Sequence, residues 1–572
     1  MKKHIILLFF FIFLTCFLLA KDRSKPHQYI SPLNVPLVLS GNFGELRTNH
    51  FHSGLDFRTN GKTGLPVKVV ADGTISRIKV SPVGYGKALY VDHPNGITTV
   101  YGHLHSFNDR IENYIKEIQY KKESFAIDIA APEGKFNFKQ GEIIALSGNS
   151  GSSAGPHLHF EIRDTKTQQV LNPLKFGYEL PDKIKPRILS LYIYPLTDSS
   201  HVDGSKEKKR YEIVYYNGKF HVKRNPLIKV YGDIGFGLEA IDYLDGSWSK
   251  CGIYSMEVLL DKQKVYEFAF DQLDFNMMRY INSHIDYEQK LNTGRRIHKT
   301  YREPGNKLTF YNDTLTGILR VPNPVAHKVH FYVKDLSGNT AQLDVRVLSK
   351  KISFVHDSIQ TGTPFYFEKA NNFETSNFKL AAPKGCFYDN FKLLYEVDSI
   401  RPKNALSAVH KVHNKATPVH KNMEIAIRTD SIPPHLQNKV LLANVSRNGK
   451  LTALGGIFEK NWVKAQLREF GNYCVVLDTI PPKIRALSIK NNNTLTDSKQ
   501  IRFKIKDDFS DIAAYRGTID GKWVLFEFDA KNNLLSYVFD KSRFEFKKQH
   551  QLVLEVMDMN DNVTRYEATF TK

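Results

Sequence analysis

The chain has 572 residues, of which 41% are hydrophobic and 24% charged, and its formal net charge is +21. This length accommodates roughly three to five globular domains, and the composition excludes a low-complexity or disordered chain. The lysines are scattered and form no basic tract with interleaved aromatic residues, so nucleic acid is not an expected partner. Anionic polymers and lipid headgroups of a cell envelope are the expected electrostatic partners, and only for weak contact.

The N-terminus has the pattern of an export signal. A basic Met1–Lys3 segment precedes an apolar run over 5–19, and Ala20 places a small residue at the expected cleavage point. We therefore predict a signal peptide over residues 1–20 and a periplasmic, envelope-associated or secreted location. An uncleaved anchor is the alternative, but the run is short for a full span. No later stretch is apolar enough to predict a transmembrane segment.

Four cysteines are few for an exported protein of this length. Removal of the signal leaves Cys251, Cys386 and Cys474, so disulfides are not expected to hold the fold together. Cys386 and Cys474 lie in one candidate domain, and a bond between them stays open.

The stretch Gly155–Arg163 reads Gly-Pro-His-Leu-His-Phe-Glu-Ile-Arg. Polar His157, His159 and Glu161 alternate with apolar residues, which predicts a strand with both imidazoles on one face. Paired histidines fit a metal site, although solvent-facing side chains would give the same pattern. Glu161 can orient an imidazole, but a surface ion pair with Arg163 is the favoured interpretation.

A second histidine motif lies upstream. In the segment 49–57, His52 is followed four positions later by Asp56. Three protein ligands with a fourth position left to water is the arrangement of a catalytic zinc site. His52, Asp56 and either His157 or His159 would supply that set. Two histidines and one carboxylate also match the ligands of non-haem iron oxygenases.

A third motif, in the β-like run 98–106, contributes His103. A hydrolytic metal site needs a base for the bound water and a donor for the developing oxyanion. His103 and whichever histidine of the later pair does not bind metal fit these two roles. A hydrogen-bonded strand histidine is the alternative for His103 alone.

Together the three motifs resemble the lysostaphin/LytM-type zinc endopeptidases, which cleave peptidoglycan cross-bridges. Their pattern is His-x-Gly-x-Asp, then Tyr-x-His-Leu, then Gly-Pro-His-Leu-His-Phe-Glu, and all three occur here in that order. The resemblance covers residues of about 30–180. It implies one zinc ion per chain held by His52, Asp56 and His159. It also implies that His157 acts as general base and then acid, and that His103 supports the oxyanion.

The resemblance implies a zinc metalloendopeptidase that hydrolyses peptide bonds in peptidoglycan stem or cross-link peptides. The alternative is a non-catalytic or regulatory module that binds the cell wall and activates another wall hydrolase. Relatives that act in this way have typically lost ligands, whereas all five positions are present here. The extra histidines disfavour an iron oxygenase.

The connection between His105 and Gly141 is longer than the family pattern leads us to expect. This insertion, at 108–140, fits a lid or wall of a substrate groove, and equally a plain surface insertion.

Beyond the candidate peptidase domain the chain contains a repeat. The segment 186–191 recurs in looser form at 482–489, and both units close with an Asp-x-x-x-Asn turn, at Asp335 and at Asp558. Alternating strands with regular turn signals predict β-sandwiches similar to bacterial immunoglobulin-like (Ig-like) modules. We thus predict an all-β chain with a peptidase domain at 28–180, a first module at 186–349, a β-rich middle domain of unassigned role at 350–479 and a last module at 480–572.

Two further groups have polar side chains of interest. The Asp-x-x-x-Asn turns lack the fuller acidic spacing of a calcium loop, so a hairpin turn capped by the Asp and Asn side chains is favoured. His410, His413 and His420 are predicted to lie in a lysine-rich loop of the middle domain, and we interpret them as solvated rather than metal-binding.

Overall fold

The computed structural model describes residues 29–178, 180–352, 361–398, 401–540, 542–543, 545–546 and 548–572. The predicted signal peptide at 1–20 lies outside this part of the chain. Strands dominate the described residues, and the prediction of an all-β chain is confirmed. Within the same residues, no helix combines the length and apolar character needed to cross a membrane.

The predicted peptidase domain contains the strands β1 (Leu39–Gly41), β2 (Leu55–Arg58), β3 (Pro66–Lys68), β4 (Gly73–Val80), β5 (Lys87–Asp92), β6 (Ile97–Leu104), β7 (Ser106–Phe107), β8 (Ile127–Ala130), β9 (Asn137–Phe138), β10 (Ile143–Leu146), β11 (His157–Asp164) and β12 (Val170–Leu171). Helix α1 (Asp109–Lys122) and a 3-10 turn (Pro173–Phe176) complete the domain. Its main sheet has the order β1-β2-β11-β6-β5-β4-β8, and a smaller sheet has the order β3-β10-β7.

Strand β11 alternates as its sequence predicts. Leu158, Phe160 and Ile162 are fully buried on the core face of the sheet. On the opposite face, antiparallel pairing sets His159 across from Asp56 of β2 and Gly102 of β6. The register of three adjacent strands therefore brings the separate histidine motifs together.

The 108–140 insertion is not a plain surface insertion. Asn108 caps α1, and Ile111 and Ile115 of that helix are buried in the core. Its strands β8 and β9 pair with β4, at the end of the sheet away from β11. The exposed side of α1 contacts the last module through Tyr120, whose ring centroid lies 5.1 Å from that of Trp523. The insertion is thus a docking element between two parts of the chain.

The first module is a large sheet assembly with a short helical excursion. Its strands are β13 (Arg187–Pro195), β14 (His201–Val202), β15 (Lys209–Tyr216), β16 (Lys219–Val222), β17 (Leu227–Tyr231), β18 (Ile234–Ile241), β19 (Ser255–Leu260), β20 (Gln263–Ala269), β21 (Gln272–Leu273), β22 (His298–Lys299), β23 (Ala326–Lys334) and β24 (Thr340–Ser349). Helices α2 (Ile281–His284) and α3 (Tyr287–Thr293) follow a 3-10 turn at Phe275–Tyr280. The patterning did not predict this helical segment.

The peptidase domain and the first module share one continuous hydrophobic core. Strand β21 of the module pairs with β12 of the domain, and the rings of Phe51 and Phe270 lie 5.4 Å apart across the junction. The two parts are therefore joined by core packing and by sheet hydrogen bonds.

The middle domain packs two five-stranded sheets around its own core. Its strands are β25 (Thr363–Phe365), β26 (Asn371–Glu374), β27 (Phe378–Ala382), β28 (Phe391–Leu393), β29 (Tyr395–Asp398), β30 (Val409–Val412), β31 (Met423–Arg428), β32 (Val440–Val445), β33 (Leu451–Ala453), β34 (Ile457–Glu459), β35 (Trp462–Leu467) and β36 (Gly471–Leu477), with a 3-10 turn at Pro434–Lys439.

The interpretation of the middle-domain histidines as solvated is wrong. His410 lies on β30, is 2% exposed and hydrogen-bonds the Tyr395 hydroxyl. His413 and His420 are half-buried, and His420 packs on the Tyr280 ring of the first module at 4.0 Å. Burial lowers the pKa of each to about 4, so all three are neutral near pH 7. Aromatic neighbours, which the sequence separates widely, account for this burial.

The last module repeats the plan of the first on a smaller scale. Its strands are β37 (Lys483–Ala486), β38 (Asn493–Thr494), β39 (Gln500–Lys506), β40 (Ile512–Ile519), β41 (Lys522–Trp523), β42 (Glu527–Asp529), β43 (Leu534–Val538), β44 (Gln549–Asp558) and β45 (Val563–Thr571), with a 3-10 turn at Ala530–Asn532. The hairpins of the two modules turn at equivalent aspartates in the left-handed conformation, Asp261 (φ 52°) and Asp520 (φ 50°).

Cys386 and Cys474 do not pair. Both are buried free thiols, as is Cys251. Burial raises the pKa of Cys386 and of Cys474 to about 11. Core packing, with no disulfide among the described residues, holds the middle domain together.

Candidate metal centre

Three side chains from β2, its preceding loop and β11 point their donor atoms at one spot. Asp56 Oδ1 lies 3.0 Å from His52 Nε2 and 2.8 Å from His159 Nδ1. The two histidine nitrogens are 3.1 Å apart. All three residues are at least 96% buried. The structure therefore brings together His52, Asp56 and His159, the set that the resemblance implied.

The donor set fits zinc. Ligand bonds of about 2.0–2.1 Å in a tetrahedron separate donor atoms by about 3.3 Å, close to the spacing observed. Two imidazoles and one carboxylate leave a fourth position for water, as catalytic zinc sites do. Zinc would lie between these three donor atoms.

Backbone and side-chain acceptors fix which nitrogen of each ligand faces the site. His52 Nδ1–H donates to the Asn42 carbonyl at 2.8 Å, which leaves Nε2 free for metal. His159 Nε2–H donates to Glu161 Oε1 at 2.8 Å, which leaves Nδ1 free. Such outer contacts hold the ring orientation and raise the basicity of the ligand.

Glu161 is the centre of a buried network, so its interpretation as half of a surface ion pair is wrong. Its side chain is fully buried, and Arg163, only 6% exposed, donates to Oε2 from Nε at 2.7 Å and from Nη2 at 2.5 Å. Ser53 donates to Oε1 at 2.5 Å, and the Tyr85 hydroxyl donates there too. The Arg163 pair and the contact with His159 coexist, because one carboxylate has acceptor sites for both.

Asp56 is held by a second charged group that the motifs did not reveal. Arg47 Nη2 donates to Asp56 Oδ2 at 2.5 Å, and Glu45 lies 3.7 Å from the same guanidinium. Oδ2 is therefore engaged, and Oδ1 alone faces the histidines. Asp56 is thus arranged to bind a metal through one oxygen.

The electrostatics of the ligands follow from burial and from their contacts. Burial lowers the pKa of His52 to about 4 against the attraction of Asp56. Burial would also lower the pKa of His159, but hydrogen bonds to Asp56 and Glu161 raise it to about 9. Burial opposes ionisation of Asp56, yet His52, with hydrogen bonds from His157 and His159, holds its pKa well below the usual range.

His157 and His103 flank the ligands. His157 Nε2 lies 3.4 Å from Asp56 Oδ1, and the rings of His103 and His157 are 4.8 Å apart. Each ring donates its Nδ1–H to a backbone carbonyl, His157 to Gly155 at 2.8 Å and His103 to Ser150 at 2.9 Å. In the neutral form both Nε2 atoms are therefore proton acceptors.

The backbone of His103 has φ 59°, a left-handed conformation that a side chain disfavours. Strain of this kind persists where surrounding structure fixes a residue, and it is frequent at functional sites. Burial lowers the pKa of His103 to about 3. The nearby His50 and His105 are exposed and do not join the cluster.

The last module reaches the loop that supports His157. Ser153 Oγ lies 3.2 Å from His157 Nδ1. Lys531 of the last module donates to the Ser153 carbonyl at 3.1 Å and to the Asn149 carbonyl. One rim of the site is therefore in contact with the far end of the chain.

Sequence reasoning missed the roles of Arg47, Ser53 and Tyr85. Neither strand periodicity nor a motif predicts that these residues contact the candidate ligands or Glu161. Tyr85, for example, reaches Glu161 from the loop between β4 and β5. For Glu161 the signal was present, because His157, His159 and Glu161 share one face of β11. The sequence did not reveal that this face is covered.

Residues 50–120 match Peptidase family M23, a span that includes His52, Asp56 and His103 but not β11. Residues 362–478 match the Zu5-like domain, within the predicted middle domain.

Among curated proteins, the chain is 31% identical over 137 residues to the "DD-carboxypeptidase/endopeptidase Mpg" of Neisseria meningitidis serogroup B, covering 24% of this chain and 25% of that protein. It is 30% identical over 128 residues to the lysostaphin of Staphylococcus staphylolyticus, covering 22% of each. The chain thus spans about a quarter of the length of the curated relatives it matches.

Among solved structures, the catalytic domain of the prophage-encoded M23 protein EnpA from Enterococcus faecalis matches at 22% identity and a TM-score of 0.20. That match covers 26% of this chain and 98% of the EnpA chain.

Proposed function

We propose that this chain, which carries a peptidase domain of the M23, lysostaphin-like type, is a zinc metalloendopeptidase that hydrolyses peptide bonds in peptidoglycan stem or cross-link peptides. One observation carries the proposal: the donor atoms of His52, Asp56 and His159 converge within 3.1 Å of one another, with the free nitrogens of two further histidines beside them.

The ligand roles rest on orientation. His52 and His159 each present one nitrogen to the centre because the other is hydrogen-bonded away from it. Asp56 presents Oδ1 because Arg47 holds Oδ2. When bound, zinc would supply Lewis acidity toward the scissile carbonyl and lower the pKa of a water molecule.

His157 is assigned as general base and then general acid. Its Nδ1–H is fixed by the Gly155 carbonyl, so Nε2 is the atom that accepts a proton from water and returns it to the leaving amine. This Nε2 also faces the candidate metal centre, because it lies 3.4 Å from Asp56 Oδ1.

His103 is assigned to the developing oxyanion. Its Nδ1–H is engaged with Ser150, so it can donate from Nε2 only when doubly protonated. Burial disfavours that form in the free protein, so the second proton would come from solvent, and the negative charge that develops on the substrate oxygen would stabilise it. His103→Gln keeps a hydrogen-bond donor and His103→Ala does not, so comparing the turnover of the two variants tests this role.

Peptidoglycan as substrate is supported by the names of the relatives and by the net charge of +21, which favours weak contact with an anionic wall. This substrate requires a location outside the cytoplasmic membrane, as the predicted signal at 1–20 would provide. N-terminal sequencing of the mature protein from its host would test cleavage after Ala20.

The decisive experiment compares zinc content and peptidoglycan cleavage, with released fragments identified by mass spectrometry. His159→Ala should lose both zinc and turnover. His157→Ala should keep zinc and lose about 10²–10⁴-fold in turnover. His105→Ala, an exposed histidine outside the cluster, is the matched control and should behave as wild type.

Retained turnover in His157→Ala would overturn the role of that residue. Zinc bound by the wild type without cleavage of any wall type would favour the regulatory alternative, in which the domain binds the wall and activates another hydrolase.

A further inference from the structure

Both modules carry three aspartates at their junction with the preceding part of the chain. In the first module, carboxylate oxygens of Asp182, Asp242 and Asp335 all lie within 4.8 Å of one another. The last module repeats the arrangement, under the same 4.8 Å limit, with Asp478, Asp507 and Asp558. We call these the first and the second triad. Neither contributes to the peptidase site.

The two triads occupy equivalent positions. Each combines an aspartate of the entry linker with the aspartate of an Asp-x-x-x-Asn turn. In the first module Asn339 Nδ2 donates to the Asp182 carbonyl at 3.1 Å and to Asp335 Oδ2 at 2.7 Å. In the last module Asn562 Nδ2 donates to the Asp478 carbonyl at 3.0 Å and to Asp558 Oδ2 at 2.8 Å.

The favoured sequence interpretation, a turn capped by its Asp and Asn side chains, agrees with these contacts. Asp182, Asp478 and Asp507 also accept hydrogen bonds from nearby backbone N–H groups, but these local contacts do not explain why the three side chains of each triad converge. A cap needs one carboxylate, whereas each module gathers three. Because both modules gather three aspartates at equivalent positions, we expect the two triads to have the same role.

The negative charge of the triads is not neutralised. Among the described residues, none of the six carboxylates forms an ion pair with lysine or arginine within 4.0 Å. Lys439, near the second triad, donates instead to the Asn560 carbonyl at 2.8 Å. Buried like charges without a counter-ion are costly, so these carboxyls must either keep protons or gain a cation.

Unsatisfied polar atoms mark both sites. Asp242 is 3% exposed, and its Oδ1 has no hydrogen-bond partner. Asp478 is also 3% exposed, with Oδ2 unsatisfied, and the buried Ser510 hydroxyl beside it makes no hydrogen bond of normal geometry. An unsatisfied buried polar atom requires an explanation, and a bound ion or water molecule supplies one.

The carboxyls of the first triad resist ionisation. Burial, followed by the charge of Asp182 and Asp335, raises the pKa of Asp242 to about 8. Burial raises the pKa of Asp182 to about 6. Both shifts follow from the burial and proximity of the three carboxyls.

The donors are all oxygen, which selects a hard cation over zinc. Calcium takes six to eight oxygen ligands in flexible geometry, whereas magnesium keeps most of its water. The first triad opens on a cavity of about 270 Å³ that is also lined by Asn42 and Tyr178 of the peptidase domain. There is room for a large cation and its remaining water ligands.

We propose that each triad binds one calcium ion, which ties the module to the part of the chain before it. The first ion would join the peptidase domain to the first module. The second would join the middle domain to the last module, whose Lys531 contacts the loop beside His157.

The test uses the full chain, freed of divalent ions on a chelating resin and reloaded with one equivalent of zinc. Calcium chloride is then titrated to 10 mM at pH 8, with binding measured by equilibrium dialysis of radioactive calcium. Wild type should bind two calcium ions. Asp242→Asn and Asp507→Asn should each bind one, and the double variant none. The exposed neighbours provide the controls: Asp245→Asn and Asp508→Asn should still bind two.

Thermal unfolding separates loss of the site from misfolding. Without calcium, Asp242→Asn should unfold at or above the wild-type temperature, because asparagine fills the same buried position and cannot ionise. Calcium should raise the unfolding temperature of the wild type. The rise should be smaller for Asp242→Asn, because its first triad no longer binds the ion. Two ions still bound by the double variant, no binding at 10 mM, or equal displacement by magnesium would each overturn the proposal.

Discussion

Replacing Glu161 by glutamine tests whether the buried network sets the affinity of the metal centre. Glu161 accepts the Nε2–H of His159 and two hydrogen bonds from Arg163 while fully buried. Glutamine keeps the shape but loses the charge, and one of its two acceptor positions becomes a donor. His159 and Arg163 then compete for one oxygen.

Loss of an outer-shell partner of a metal-bound histidine costs about 10–100-fold in metal affinity, or about 1.4–2.8 kcal/mol. The unpaired charge of Arg163 adds a separate loss of fold stability. Breaking a buried ion pair costs about 3–5 kcal/mol, and the remaining amide oxygen should reduce this.

The assay is zinc competition with a chromophoric chelator, followed by denaturant unfolding of the metal-free and zinc-loaded proteins. Glu133→Gln, at an exposed position of the same domain, is the control and should match wild type in both. A zinc affinity of Glu161→Gln within twofold of wild type would refute the reasoning, because the network would then hold the fold without acting on the ligand.

Three further predictions concern the rest of the chain. Burial lowers the pKa of His298 to about 3 in the folded protein against an ordinary 6.5, so the unfolded state binds more protons below pH 6.5. The contribution of His298 should make the free energy of unfolding fall by up to about 1.4 kcal/mol per pH unit as the pH is lowered from 6.5 to 3. Urea unfolding at several pH values should show a weaker dependence of this free energy on pH for His298→Gln than for the wild type. The same pH dependence in both proteins would contradict the prediction. A double-mutant cycle with Tyr120→Ala and Trp523→Ala should give a coupling energy of about 0.5–1.5 kcal/mol in thermal unfolding. If the stability losses of the two single variants simply add in the double variant, α1 does not dock on the last module through these rings. The three described cysteines should not react rapidly with a thiol reagent until the protein is unfolded, and a fast reacting equivalent from any of them in the folded protein would show that its burial is incomplete.

Local sequence predicted the features whose cause is local. Alternation along β11 fixed the common face of His157 and His159, and the three motifs pointed to a zinc-type donor set. The repeat of linker, hairpin and Asp-x-x-x-Asn turn likewise predicted two related modules. Within each motif or turn the determining residues lie within about ten positions of one another, so period and turn chemistry suffice to recognise it.

Tertiary structure decided what depends on residues far apart in the chain. The register of β2, β11 and β6 selects His159 as the residue opposite Asp56. Burial converts Glu161 from an expected surface partner of Arg163 into the acceptor that orients His159. The aspartate triads could not be predicted for the same reason: their members come from a linker, a strand end and a turn, and the fold alone determines which carboxyls share a site.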